Sequence, residues 1–307
     1  MSDRKLTIGI PIYNGEKFIR QKFENILSQT FQDFELIISD DSTDSTPEIC
    51  KEFAVKDNRI RHIHQPIRKG WRWNYVFLAK QANTKYFVWT NVDDLWTNDF
   101  LSENIKILEK NKNIVASMGK VDQFDDSGII KDQFEINTND SIITRSYKKF
   151  RKKFRPFTIK PLSGKYDEKV RKFLKTQSPL MGLSIFRTES LKNAIQDLDL
   201  HSEWELSYEI NLLKYGDTHV IDKVMVHFYM QGLSVDAILT WKNNKEMKFF
   251  DLVFPSYSLM KWFIKKMGLK LFVKNLDHFI WLMIYGRIAV GVALVKNIIR
   301  LLKKKDD

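Results

Sequence analysis

The 307-residue chain is 43% hydrophobic and 29% charged, which excludes a disordered polymer and suits one sizeable α/β domain with an appendage, or two small domains. Its formal net charge of +12 favours anionic partners such as nucleic acid, acidic lipid headgroups or phosphorylated ligands, although plain surface lysine gives the same balance. The single cysteine, Cys50, excludes an internal disulfide and fits a reducing, cytoplasmic setting.

The polar segment Met1–Lys5 shows no signal-peptide pattern and runs directly into an apolar, β-branched strand at Leu6–Ile12, closed by Tyr13-Asn14-Gly15. Lys17–Gln29 carries Phe18, Ile19, Phe23, Ile26 and Leu27 at helical spacing. Phe34–Ser39 reads as a second buried strand. Thr43–Val55 reads as a helix with Pro47 in its first turn, and Cys50 in it reads as a packed thiol. Ile60–His64 is a third strand, Trp71–Gln81 a helix, and Tyr86–Thr90 a fourth strand ending in Asn91-Val92-Asp93-Asp94. Asn98 or Asp99 caps a helix through Lys110, and Ile114–Val121 is a further strand.

From Asp122 to Lys175 the pattern breaks. Ser146–Lys172 is dense in Lys and Arg with Phe150, Phe154 and Phe157 interleaved, and is expected to be a basic insertion or loop over the site mouth. It is either simply solvated or a clamp on phosphate or an anionic membrane. Regular structure is expected again at Gly182–Arg187 (strand), Glu189–Ile195 and Glu203–Tyr215 (helices) and Thr218–His227 (strand). Beyond Trp241 the chain turns rich in aromatics, Leu, Ile and Lys. Phe279–Val295 is apolar but interrupted by Gly286, Arg287 and Gly291, and Lys303-Lys304-Lys305 follows. That is marginal for a membrane span, where Arg287 would be costly, and reads better as an interfacial helix pair or, second to that, as helices packed on the protein itself.

Repeated strand–helix–strand units predict a mostly parallel central sheet with helices on both faces, which binds ligands outside the carboxyl ends of its strands. Asp40-Asp41 and Asp93-Asp94 both fall at that edge. A nucleotide-sugar would use such an edge. Its departing diphosphate gathers negative charge, which an oxygen-liganded Mg²⁺ or Mn²⁺ neutralises, and Asp93 at a strand end is suited to hold that ion. An Asp pair in a loop can equally be an ordinary turn. Asp40-Asp41 can accept a base N–H or ribose hydroxyls, while Ser42, Thr43 and Asp44 can cap the next helix. Arg68 and Lys69, before Gly70, supply cations at the same edge. Transfer needs a base, and His201, Glu203 and Glu205 cluster at a helix start, where carboxylates also suit the helix dipole. Trp204 between them belongs against a sugar ring or, by default, in the core. There is no Gly-x-Gly-x-x-Gly after the first strand, no Walker loop, no Cys cluster and no Gly-x-Ser-x-Gly.

Together these segments resemble the family-two glycosyltransferases of GT-A fold. The resemblance is carried by TIGIPIYN (Thr7–Asn14), ILSQTFQDFELIISDDSTD (Ile26–Asp44), KGWRWN (Lys69–Asn74), YFVWTNVDDLW (Tyr86–Trp96) and SEWEL (Ser202–Leu206). It implies a GT-A domain over 1–235; past Val235 it fades, and the basic insertion at about 122–175 and the helical, membrane-interfacial region over 236–307 are expected from the residues alone. It implies that Pro11 and Tyr13 border the nucleotide, that Asp41 binds uracil with Asp40 supporting the loop, and that Arg68 approaches the donor phosphates. Asn91 would bind ribose or a metal-bound water, Asp93 would ligate the metal, and Glu203 would be the base. Asn91 and Glu203 stand where the family commonly has Asp, and Phe228-Tyr229-Met230-Gln231 stands where it has Tyr-Arg-x-His. The expected activity is inverting, metal-dependent transfer from a UDP-sugar to a polysaccharide or lipid-linked glycan at the inner face of the cell membrane, with no nucleic-acid partner. The alternative is a non-catalytic nucleotide-sugar binding protein of the same fold.

Overall fold

The structure, a computed structural model, describes residues 4–126, 128–130, 159–176, 182–196, 198, 203–230 and 254–303, with residues 142, 145, 146, 148 and 149 between them. The N-terminal alternation forms as the apolar runs predict. It comprises β1 (Leu6–Ile12), α1 (Ile19–Leu27), β2 (Phe34–Asp40), α2 (Thr46–Lys56), β3 (Ile60–His64), α3 (Trp71–Gln81) and β4 (Tyr86–Trp89). There follow β5 (Leu95–Trp96), α4 (Phe100–Lys110), β6 (Ile114–Asp125), β7 (Gly128–Ile130), α5 (Tyr166–Thr176), β8 (Ile185–Arg187), α6 (Thr188–Ile195), α7 (Trp204–Leu212) and β9 (Asp217–Tyr229). The chain ends in α8 (Tyr257–Met267), α9 (Leu269–Lys274) and α10 (Leu276–Lys303).

The strands make one sheet in the order β3-β2-β1-β4-β8-β6-β9-β5, with β7 paired to β6. The half built from β3, β2, β1 and β4 is parallel throughout, so the carboxyl ends of these strands lie along one edge. Beyond β4 the sheet is mixed: β8 runs antiparallel to β4 and β6, β9 parallel to β6, and β5 antiparallel to β9. Strands buried on both faces read as unbroken apolar runs, and two cores account for it here. One, under α1, α2 and α4, holds Ile8, Ile10, Phe23, Ile38, Cys50 and Phe100. The other, under α3, α5 to α8 and α10, holds Leu78, Phe87, Trp89, Phe173, Trp204, Phe263 and Phe279. Cys50 is a fully buried thiol, as expected, and burial first, then nearby carboxylates, push it up to about 12.

Two expectations are corrected. The segment from Asp122 is not irregular at its start, because β6 runs on to Asp125 and turns back into β7. Its far end is α5, in which Val170, Phe173 and Leu174 are buried at helical spacing among lysines that hide the stripe in the sequence. Phe150, Phe154 and Phe157 lie outside the described residues. The short β5 was not anticipated, since two residues leave no periodicity to read.

The C-terminal helices pack on the main body: Leu259, Trp262, Phe263, Phe279 and Leu282 join the same core as Trp204 and Leu78. Gly286 is not an interruption. A Cβ there would meet the Pro255 Cβ at 2.5 Å, so glycine lets α10 pass close to that residue. Among the described residues no helix is long and apolar enough to cross a membrane.

Candidate active site

The loops after β1 and β2 are knitted to each other at the carboxyl edge. Asn14 takes a left-handed conformation (φ 53°), tolerated by Asn, and its N–H donates to Ser42 Oγ (2.8 Å) while its side-chain oxygen accepts from Thr43 N (2.9 Å). Gly15 N donates to Thr46 Oγ1 (2.9 Å). Ser42 and Thr43, read in the sequence as helix-capping candidates, are thus committed to this cross-loop network, which Thr46 joins.

Asp40, the last residue of β2, and Asp41, which follows it, meet different partners. Asp40, fully buried, accepts from Ser42 N (2.9 Å) and pairs with His62 Nε2 (2.8 Å). Burial opposes its charge, but the bonds from His62 and Ser42 outweigh it and hold the carboxyl below its ordinary range. Asp41 bonds instead to the Asn74 side chain on α3, where Ser39 Oγ also donates to Asn74 Oδ1 (2.9 Å). Burial raises the Asp41 carboxyl against the pull of Arg68. The Arg68 guanidinium covers the Tyr13 ring at 3.6 Å from its centroid. Gly70 (φ 88°) then turns the chain from this exposed cationic segment into α3 through a conformation that disfavours any side chain. Asp41, Arg68 and Tyr13 are therefore brought together, with Pro11 a strand residue beside them in register with Ser39.

One strand over, after β4, Asp94 is buried and accepts from Tyr229 N (3.1 Å) and from Asn91 Nδ2 (2.8 Å), while Asn91 Oδ1 accepts from the Tyr75 hydroxyl. An amide at position 91 thus donates where a second carboxylate would repel Asp94. Beneath the motif lies Lys22, fully buried, donating Nζ–H to the Asp94 carbonyl (2.7 Å) and standing 4.5 Å from the Trp96 ring centroid. Burial pushes the Asp94 carboxyl up, and the adjacent Asp93 pushes it further; burial likewise pulls Lys22 down against the two carboxylates. Asp93 is half-buried, raised by burial and steadied by its own backbone N–H and by Lys22.

Glu203 stands at the N-cap of α7, and its Oε1 accepts from Ser256 Oγ (2.7 Å) at the start of α8. Glu205, in the first turn, is pushed up to about 7 by burial, against the pull of the buried Arg72. Trp204 takes its default place in the core, with ring centroids 5.3 Å from Tyr208 and 5.9 Å from Trp71. His201 and Ser202 lie outside the described residues. His227, displaced from the family pattern, pairs with Asp122 Oδ1 at 2.6 Å.

Sequence reasoning missed Lys22, Tyr75, Arg72 and Ser256. Lys22 carried a signal, for it occupies the apolar stripe of α1 between Ile19 and Phe23. Ser256 carried none, being 53 residues from Glu203.

The profile of glycosyl transferase family 2 matches residues 7–191, more than half the chain. Among curated proteins, glycosyltransferase GlyG of Streptococcus pneumoniae is 32% identical over 124 residues, covering 40% of this chain and 40% of GlyG. The Escherichia coli protein WfgD, a UDP-Glc:alpha-D-GlcNAc-diphosphoundecaprenol beta-1,3-glucosyltransferase, is 29% identical over 131 residues, covering 42% of this chain and 51% of WfgD. The match thus spans about half or less of the length of these relatives. Among solved structures, Staphylococcus aureus TarS 1-349 superposes with a TM-score of 0.53 at 16% identity, covering 97% of this chain and 91% of that one. Mannosyltransferase PcManGT from Pyrobaculum calidifontis, in complex with GDP-Man and Mn²⁺, gives 0.55 at 15% identity, covering 96% and 74%. Both likenesses are of fold, the GT-A arrangement of a central sheet with helices on both faces. With the profile match over the strands and loops that carry the acidic pairs, the chain belongs to glycosyl transferase family 2.

Proposed function

We propose that the protein moves a sugar from a UDP-type nucleotide-sugar to a hydroxyl of a polysaccharide or lipid-linked glycan, with inversion, in a single displacement. The observation that carries this reading is the gathering of Tyr13, Asp41 and Arg68 beside the 91–94 motif on neighbouring parallel strands. The names of relatives agree with it: WfgD takes UDP-Glc and a diphosphoundecaprenol acceptor, and TarS has been crystallised with UDP-GlcNAc.

In this reading Tyr13 and Pro11 border the base, and Asp41 accepts its N–H while Asp40 holds the loop from behind. Arg68 faces the diphosphate. Asp94 is committed to Tyr229 and Asn91, which leaves Asp93 as the carboxylate suited to a hard divalent ion. One protein carboxylate suffices for such an ion when phosphate and water complete its shell, so the donor set fits. Mg²⁺ or Mn²⁺ at Asp93 would supply charge neutralisation for the departing diphosphate. Glu203 takes the proton of the acceptor hydroxyl as its oxygen bonds to the anomeric carbon and the bond to the diphosphate breaks. Ser256 holds one carboxylate oxygen and so aims the other.

The division near residue 235 is part of the proposal, with 236–307 as a surface for the inner membrane face. Leu269 and Val273 on α9, and Leu276, Ile280 and Ile284 on α10, are exposed beside Lys265, Lys266, Lys270 and Lys274. Such a pairing of apolar stripe and lysines suits anionic headgroups.

The test is UDP release from UDP-sugars. Release should require Mn²⁺ or Mg²⁺ and fall at least about 100-fold in Asp93→Ala. Undiminished turnover in that variant overturns the metal assignment. Nucleotide binding without any release marks instead a binding protein of the same fold.

A further inference from the structure

Asp40 has a second set of neighbours that the reading above does not use. β3 is the terminal strand of the sheet, and its parallel register sets His64 beside Asp40 and His62 beside Ile38. Residues two apart on a strand share a face, so Asp40, His62 and His64 project from the same side of the sheet. His62 Nε2 lies 2.8 Å and His64 Nδ1 3.7 Å from the same oxygen, Asp40 Oδ2, and all three donor atoms lie within 4.8 Å of one another. Tetrahedral bonds of about 2.0 Å to nitrogen and oxygen separate neighbouring ligand atoms by roughly 3.3 Å. The two distances bracket that value, so small side-chain rotations close the site. Exposure rises outward from Asp40 (0%) through His62 (6%) to His64 (48%), which leaves an entry path and room for a water as fourth ligand.

We propose that Asp40, His62 and His64 form a binding site for a transition-metal ion of the Zn²⁺ class, separate from the Asp93 centre. Two imidazoles and one carboxylate suit Zn²⁺, whereas Mg²⁺ and Mn²⁺ favour oxygen ligands. The centres are different places. Across the sheet Asp40 on β2 is two strands from β4 and the histidines on β3 are three, so the sites are about 10–14 Å apart at the usual strand spacing. Asp40 Oδ1 keeps the Ser42 N–H (2.9 Å) when Oδ2 turns to the ion, so occupancy leaves the loop carrying Asp41 in place. The ion would then tie the edge strand, four residues before Arg68, to the end of β2. This inference stands whether or not the transfer reaction is as proposed.

The experiment uses the full, tag-free chain with saturating Mg²⁺ to fill hard-ion sites, titrated with Zn²⁺ by calorimetry and with Co²⁺ as a visible-absorption probe. One equivalent should bind, with intense tetrahedral Co²⁺ bands, in the wild type and equally in Asp93→Ala. His64→Ala, at an exposed position, should bind on the order of tenfold or more weakly, and His62→Gln likewise. Mn²⁺-supported UDP release should be unchanged in His64→Ala, so that a failed transfer assay and a failed metal site read separately. The proposal is overturned if the wild type takes up no Zn²⁺, if His64→Ala binds as tightly as wild type, or if binding disappears with Asp93.

Discussion

Asp93 and Asp94 are adjacent, yet the chain puts them to different uses because the Asp94 carboxylate accepts from the Tyr229 N–H and the Asn91 amide, whereas Asp93 meets neither. The same logic governs Glu203, whose orientation depends on a serine from a distant helix. Ser256→Ala should lower kcat roughly tenfold, the equivalent of about 1.4 kcal/mol, with the donor KM unchanged. Steady-state kinetics across pH should also show the acid limb moving up, since the carboxylate loses a donor that favours its charged form. Glu209, fully buried in α7, gives a second residue-scale prediction. Burial, reinforced by Glu205, holds its carboxyl well above the ordinary value of 4.5. Below that value both folded and unfolded chains carry the proton and nothing is lost. As pH rises past it the unfolded chain ionises and the folded one does not, so stability falls by up to about 1.4 kcal/mol per pH unit until the folded group titrates. Glu209→Gln should remove this slope, so the gap in Tm between variant and wild type, read by thermal unfolding, should widen from pH 5 to pH 8.

Among elements, α5 and α10 teach opposite lessons. The lysines of α5 mask a core stripe of Val170, Phe173 and Leu174, because the segment's charge density obscures its helical spacing. In α10 the glycine that seemed to break an apolar run lies inside a continuous helix, where it makes room for Pro255. Two effects compete in Gly286→Ala. Helix propensity favours alanine by up to about 1 kcal/mol. A methyl placed 2.5 Å from the Pro255 Cβ costs roughly 1–3 kcal/mol through overpacking. The clash should win, lowering Tm, and a denaturation curve with an unchanged or higher midpoint would contradict it. The strands were the most legible elements: β1, β2 and β4 are mostly apolar runs closed by turn residues, a pattern that needs no distant partner to be read. The two-residue β5 exists only because β9 lies alongside it.

At the scale of the whole molecule, the +12 charge and the C-terminal helices belong to one argument. α10, at 28 residues, is about 42 Å long, with Phe279 and Leu282 turned to the core and Ile280 and Ile284 to solvent. If this face meets lipid, the protein should float with anionic vesicles in a density gradient, and an Ile280→Asp/Ile284→Asp variant should remain in the bottom fraction. Equal flotation of the two would remove the membrane from the reading.

The sequence alone determined the strand–helix alternation, the parallel edge and the placement of Asp41, Arg68 and Asp93 along it. These follow from local periodicity and from the rule that loops at the carboxyl ends of parallel strands converge. Only the tertiary structure decided which partner each acid of the two pairs meets, that Lys22 lies under the Asp93-Asp94 turn, and that Ser256 reaches Glu203. It alone set His62 and His64 beside Asp40. Those facts rest on contacts between segments far apart in the chain, made by packing two cores against one sheet, and a linear pattern carries no record of such contacts.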